Sequence, residues 1–273
     1  MSRAKRLRTW MFISLVSLLF ICAPARAEIV NVACSTDFVP VLFQIKRAFE
    51  GATAHQIRIA IGSTGELHAA IMNGANHHVF LAADSTHPRA LESAGLAVPG
   101  SRTSYAVGRL VLWQPYPNRL NDPLETLQQR AFDYLAMGNP ALEPYGAAAQ
   151  QVLTSVGLWP ALSARVLTGA TLAHTFAQLQ TRQADLGFVG LSQIKNRGPT
   201  IPGYYWTVPG KLYRPILQQA VLLAGAPEAA AQFLRYLQTT ETQQLIATAG
   251  YDLPGISSDH ERVPHGGNGY VVR

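Results

Sequence analysis

Four short segments hold the residue types best suited to chemistry: Ser35-Thr36-Asp37, Gly62-Ser63-Thr64-Gly65, Pro144-Tyr145-Gly146 and Gly169-Ala170-Thr171-Leu172. Each sets hydroxyl side chains or glycine between an apolar strand or turn and a stretch of helical period. Hydroxyls and the free N–H groups of a helix start donate hydrogen bonds without bringing a cation, which suits a small anion. A charge-assisted hydrogen bond is worth roughly 1.5–3 kcal/mol, against roughly 0.3–1 kcal/mol for a helix dipole alone. Every segment also has a reading that needs no ligand. Thr36 and Asp37 are good helix caps, Ser63 with Glu66 forms a capping box, and Tyr145 and Gly146 suit packing and turning.

Other chemistries find less to work with. The eight histidines show no close metal-ligand spacing, and the adjacent His77 and His78 read as a solvated loop pair. Cys34 stands at a strand end without an evident histidine partner and reads as a buried thiol rather than a nucleophile. No GxSxG, P-loop or strand-borne GxGxxG is present. No catalytic residue, cofactor or resident metal is expected.

These segments need a scaffold, and the pattern of apolar residues supplies one. Ile29 to Ala33, Gln56 to Ile61 and Val79 to Ala82 read as strands. Between and after them lie helices at Phe38 to Phe49, Leu67 to Met72 and Pro88 to Ala94. Arg109 to Trp113, Phe132 to Met137, Leu186 to Val189 and Ala220 to Ala224 continue the strands. Helices are expected at Gly146 to Val156, Leu172 to Gln183, Pro227 to Leu237 and Thr240 to Ala249, while Pro115, Pro117 and Pro123 break the pattern between them. Alternation of strand and helix implies parallel pairing by right-handed crossovers, hence an α/β fold with sheets covered on both faces. In such sheets ligands bind beyond the carboxyl ends of the strands, where the four segments fall. If there are two domains, the chain crosses between them near Val107–Leu110 and again near Gln218–Val221.

The first 27 of the 273 residues have the form of a secretory signal peptide: basic residues to Arg8, an apolar run from Trp10 to Ala23, then Ala25-Arg26-Ala27. That leader holds five of the 22 basic residues and none of the 16 acidic ones, so the 246 residues after it carry a formal charge of only +1. The charge argument for a nucleic-acid partner lapses. Cys22 leaves with the leader, and a lone Cys34 forms no internal disulfide. With 48% hydrophobic residues the remainder has ample apolar mass for a core, and its last stretch, 256–273, reads as a loose tail.

Val32-Ala33 through Phe38, Gly62 to Leu67, Val79 to Asp84, Gly138-Asn139-Pro140 with Pro144-Tyr145-Gly146, and Asp185 to Gln193 together resemble the molybdate-binding proteins of bacterial ABC importers. The match in order and spacing runs from about Ile29 to Tyr251. The resemblance implies a two-lobed type II periplasmic binding protein, each lobe a mostly parallel sheet flanked by helices, with the ligand cleft between lobes. It implies lobe 1 over 28–108 and 220–255 and lobe 2 over 109–219. It further implies a periplasmic monomer that binds a tetrahedral oxyanion, molybdate or tungstate, for an ABC permease in the inner membrane, with no catalytic activity. The family's ligand positions fall on Thr36-Asp37 with Ser35 beside them, on Thr64 with Ser63, on Tyr145, and on Leu172 with Thr171, where the backbone N–H of Leu172 is the donor. Asp37 stands where relatives commonly carry Asn or Ser, Glu66 where many carry Lys, and Gly190 where another branch carries a ligand tyrosine. An ionised Asp37 repels a dianion, so either it turns away as a cap or the ligand brings a proton. A receptor or sensor for another small oxyanion or an organic acid is therefore the alternative, and an exported enzyme using Asp37 or Cys34 lacks a base, nucleophile and orienting group in combination.

Overall fold

A computed structural model describes residues 27–116, 122–195 and 201–255. The expected leader, save Ala27, and the expected tail lie outside them. The chain builds two five-stranded sheets. The first contains β1 (Ile29–Ser35), β2 (Gln56–Gly62), β3 (Val79–Ala82), β4 (Thr103–Gly108) and β10 (Ile216–Leu222), in the order β2-β1-β3-β10-β4. The second contains β5 (Leu110–Gln114), β6 (Leu135–Gly138), β7 (Val166–Gly169), β8 (Leu186–Gly190) and β9 (Tyr204–Thr207), in the order β7-β6-β8-β5-β9. In each sheet three consecutive strands pair in parallel, and the fourth position is taken by an antiparallel strand, β10 or β5. The two lobes thus share one topology, and each receives its antiparallel strand just after the chain has crossed from the other.

The crossings are short. Arg109 alone separates β4 in the first sheet from β5 in the second. The return runs from Thr207 to Ile216, so β10 joins the first sheet at Ile216, earlier than the boundary at 220 suggested by sequence. Between Gln218 and Gln219 the β10–β4 ladder shifts register, a bulge of the kind that re-aims side chains beside a site.

Burial on both faces explains why the central strands read as continuous apolar runs. Val30, Val32 and Cys34 of β1 and Val79 and Leu81 of β3 face one core, shared with Val41, Leu42, Ile45 and Phe49 of the helix Val39–Ala52. Ala33, Phe80 and Ala82 face the opposite core with Leu67 and Ile71 of the helix Thr64–Met72. The second lobe repeats this around Leu110, Leu112, Met137 and Phe188 on one face and Val111, Ala136 and Val189 on the other.

Three elements absent from the sequence reading are edge strands: β4, β7 and β9. Another is the helix Pro123–Gln129. Its proline occupies the first helical turn, where no N–H is needed, and Asp122 caps it by accepting from Leu124 and Glu125 N–H. The expected strand from Phe132 starts only at Leu135, because the N–H groups of Asp133 and Tyr134 donate to the Asp185 carboxylate instead of to a neighbouring strand. Short helices at Trp159–Leu162 and Leu191–Lys195 were also unanticipated.

One close approach anchors the site's second half. A Cβ on Gly146 would lie 2.2 Å from the Gly138 carbonyl oxygen, so the helix Pro144–Ser155 can sit against the end of β6 only with glycine there. Gly146→Ala is expected to destabilise the protein by about 1–3 kcal/mol. Gly51→Ala, in a helical position with open space around it, is expected to stabilise by up to about 1 kcal/mol. Urea denaturation of both variants checks the contrast.

Candidate functional site

The turn between β1 and its helix delivers Ser35, Thr36 and Asp37 to the carboxyl end of the first sheet. Asp37 does not cap that helix. The N-cap position is Phe38, and no side chain caps it. The Asp37 carboxyl instead accepts from the Ser35 hydroxyl and from Gln218 Nε2, and the Tyr251 hydroxyl donates at 2.8 Å to the Asp37 carbonyl and lies 3.3 Å from Oδ2. Tyr251 in turn accepts from Ser192 Oγ at 3.0 Å. Burial pushes the Asp37 carboxyl above its usual range, opposed by the donors from Ser35, Gln218 and Tyr251. Among the described residues no Lys or Arg pairs with it.

The second segment starts the helix Thr64–Met72. Ser63 and Glu66 form the expected capping box, Ser63 Oγ accepting from Glu66 N–H at 3.2 Å and Glu66 Oε2 from Ser63 N–H at 3.1 Å. Thr64 Oγ1 accepts from Ala83 N–H at 3.1 Å. In both hydroxyls the oxygen is engaged while the proton remains able to donate, so capping and ligand binding do not exclude each other here.

The third segment opens the helix Pro144–Ser155. Tyr145 is buried, and its hydroxyl lies so close to the first crossing that a Cβ on Gly108 would stand 2.3 Å from it. Gln218 Nε2 donates to this hydroxyl at 3.2 Å while also holding Asp37. The fourth segment starts the helix Leu172–Gln180, with Thr171 as its cap accepting from His174 N–H at 3.1 Å. Leu172 N–H, the expected backbone donor, points to Glu143 Oε1 at 3.1 Å.

Backbone and side-chain hydrogen bonds join all four segments. Thr36 N–H donates to Gly62 O at 3.2 Å, Gly65 N–H to Leu142 O at 3.1 Å, and Asn139 N–H to Gly169 O at 2.9 Å. The Gly65–Leu142 bond and the Gln218–Tyr145 bond run from one lobe to the other. These bonds bring the four segments next to one another, with Asp37 and Tyr145 meeting at Gln218 and Thr171 bonded only within its own helix start. Ser35 and Leu172 have their donors engaged by Asp37 and Glu143. Thr36 Oγ1 is buried without a partner among the described residues. Beside the seam lies a cavity of about 340 Å³ between the lobes, bordered by Ala83, Asp84 and Thr86 on one side and Pro144, Gln151 and Arg214 on the other.

Sequence reasoning missed Glu143, Gln218 and Tyr251. Glu143 is 1% exposed, and its carboxyl is pushed up to about 9 by burial, then by the Asp37 carboxyl, with Leu172 N–H opposing and Glu66 adding a little. A visible trace of Gln218 is the polar pair Gln218-Gln219 inside an apolar strand. Two other expectations concern side chains near the first sheet. Cys34 is fully buried and its thiol is raised by burial, as a packing residue should be. His78 is less solvated than expected: its Nδ1 accepts from Asn31 N–H at 3.1 Å, tying the loop to β1.

Residues 30–252 match the family of bacterial extracellular solute-binding proteins. The chain is 43% identical to the molybdate-binding protein ModA of Azotobacter vinelandii over 237 residues, covering 86% of this chain and 94% of that protein. It is 36% identical to the molybdate-binding protein ModA of Rhodobacter capsulatus over 240 residues, 87% of this chain and 94% of that one. The solved structure of the periplasmic molybdate-binding protein of Azotobacter vinelandii superposes with a TM-score of 0.79 at 38% identity, over 82% of this chain and 99% of that chain.

The raised carboxyl of Glu143 makes stability depend on pH. Unfolded, it ionises near 4.5, whereas in the folded protein it keeps its proton to about 9. Across that window the folded state binds the extra proton, so stability falls as pH rises, by up to about 1.4 kcal/mol per pH unit. Denaturation of wild type and Glu143→Gln between pH 5 and pH 9 should show the variant gaining on wild type steadily as pH increases; parallel curves would refute the assignment.

Proposed function

This chain belongs to the bacterial extracellular solute-binding proteins, and on that premise we propose that it is a periplasmic receptor for molybdate and tungstate that serves an ABC permease of the inner membrane. The observation that carries the reading is the set of uncharged donors on one seam: Thr36, Ser63 and Thr64 from the first lobe, Tyr145 and Thr171 from the second. A tetrahedral dianion taken out of water needs many donors, because an uncompensated buried charge is expensive. Hydroxyl and amide donors meet that need and leave no fixed cation to hold the cleft shut or to retain the cargo.

The two lobes contribute different donors to the same anion, so a ligand between them favors the arrangement in which they approach. The crossing through Arg109 is one residue long, which restricts relative motion to bending at the two connections. The protein works by binding alone, as a monomer, and hands its cargo to the permease without chemistry.

A second reading follows from Asp37. A carboxyl at the edge of the seam favours a ligand that brings its own proton, such as a partly protonated oxyanion or an organic acid. Asp37 here is surrounded by Ser35, Gln218 and Tyr251, which spread its charge and leave molybdate the better fit.

Calorimetric titration with molybdate, tungstate, sulfate and phosphate separates these readings. Heat is expected from the first two and none from the others at the same concentrations. Thr64→Val and Tyr145→Phe should each weaken molybdate binding roughly 10- to 100-fold, the loss of one donor to a charged acceptor. Silence from both molybdate and tungstate removes the proposal, and molybdate binding that appears only in Asp37→Asn favours the second reading.

A further inference from the structure

The ring of Tyr145 is fixed, but the proton on its hydroxyl can turn. A Cβ on Gly108 would stand 2.3 Å from the hydroxyl oxygen and one on Gly190 3.2 Å from Cε1, so the ends of β4 and β8 hold the ring on two sides. Burial, then the Asp37 carboxyl, pushes this hydroxyl well above its usual range, and it enters the site as a neutral O–H. A phenol has one proton to give and accepts in return. Asp37 competes for that proton, because its carboxyl also acts on the hydroxyl as a hydrogen-bond partner.

Gln218 stands between the two. It is fully buried on β10, beside the shift of register between Gln218 and Gln219. Its Nε2 donates to Asp37 Oδ2 and, at 3.2 Å, to the Tyr145 hydroxyl. Its Oε1 is buried with no hydrogen-bond partner among the described residues. An amide that leaves its oxygen unpaired is oriented by its nitrogen; turned over, it would set Oε1 against the carboxyl of Asp37. Both oxygens of Asp37 are then occupied, Oδ1 by Ser35 and Oδ2 by Gln218, with the Tyr251 hydroxyl 3.3 Å from Oδ2. The tyrosine oxygen has accepted from Gln218, and its own proton is left over.

We propose that Gln218 is a positioning residue of the cleft: by donating to Asp37 and Tyr145 together it keeps the carboxyl from taking the tyrosine's proton, which is left for an oxygen of the bound oxyanion. The inference rests on the oxyanion-receptor reading and deepens it. Gln218 does not touch the anion; it acts through Tyr145, which becomes a donor only.

The test is calorimetric titration of the chain without its leader, with sodium molybdate and with sodium tungstate. The proteins are wild type, Tyr145→Phe, Gln218→Met and Gln218→Glu, and each Gln218 variant combined with Tyr145→Phe, with circular dichroism following the fold. Gln218→Met keeps the length of the side chain and removes its donors. Gln218→Glu keeps the shape and puts a second carboxyl against Asp37, an acceptor where the donor was. Each should weaken molybdate binding about tenfold in the wild-type background and less than about threefold in the Tyr145→Phe background. A residue that only supports the fold would cost the same factor in both. A spectroscopic reading is independent of affinity: at saturating molybdate, the tyrosine ultraviolet difference band that Tyr145→Phe abolishes should also be diminished in both Gln218 variants. The proposal is overturned if either folded Gln218 variant binds as tightly as wild type, or if the losses in the two backgrounds are equal. It is equally overturned if the difference band returns in full at saturation, or if wild type shows no band that depends on Tyr145. Those outcomes leave the receptor reading intact; absence of binding to molybdate and tungstate by wild type overturns both.

Discussion

The site is governed by one constraint: two carboxyl groups, Asp37 and Glu143, are buried at a seam with no cation paired to either among the described residues. Buried acids without counter-charge must be neutralised by neutral donors or by a proton. Asp37 takes the first route, with donors from residues 35, 218 and 251. Those residues are far apart in sequence and meet only because β10 and the segment after the last helix fold back onto the first lobe. Glu143 takes the second route, with a single backbone donor and a retained proton. The topology that leaves one lobe and returns to it is therefore what makes a buried Asp37 tolerable.

The crossings do more than connect. Gly108 closes β4, and the space left by its missing side chain is filled by the Tyr145 hydroxyl. Gln218, near the start of the returning strand, donates to the same hydroxyl and to Asp37. The tyrosine of the second lobe is thus seated against both passages between lobes, and its orientation registers how the lobes lie.

The sheets were legible because burial on both faces writes itself as apolar runs and helical period, as in Val79–Ala82 and in the buried stripe Val41, Leu42, Ile45 and Phe49. Edge strands were not, since β4, β7 and β9 are covered on fewer sides and carry Thr, Ser, Gly and Tyr in place of a clear alternation. β2, also an edge, was legible because Ile57, Ile59 and Ile61 alternate. Pro123 misled as a breaker, since a proline at a helix start looks the same in sequence as one that ends a helix. At the site, the Ser63–Glu66 box could be read locally, whereas the cap at Thr171 was not singled out. What could not be read was partnership across long separation. Nothing local distinguishes Asp37 as a cap from Asp37 as the centre of a network with Gln218 and Tyr251, and nothing local marks Glu143 as the group on Leu172 N–H.

Neutral recognition has a consequence for the ligand. A lysine or arginine at this seam would draw Asp37 and Glu143 into ion pairs, and the acids would then fill the place of an anion. With no cation paired to either acid among the described residues, neutral donors hold Asp37 and a retained proton holds Glu143. On the receptor reading proposed above, selectivity comes from geometry and acceptor count, with Thr36 and Thr64 as donors on one side and Tyr145 on the other. The same acids that look out of place in an anion receptor are, while protonated or surrounded by donors, compatible with its task.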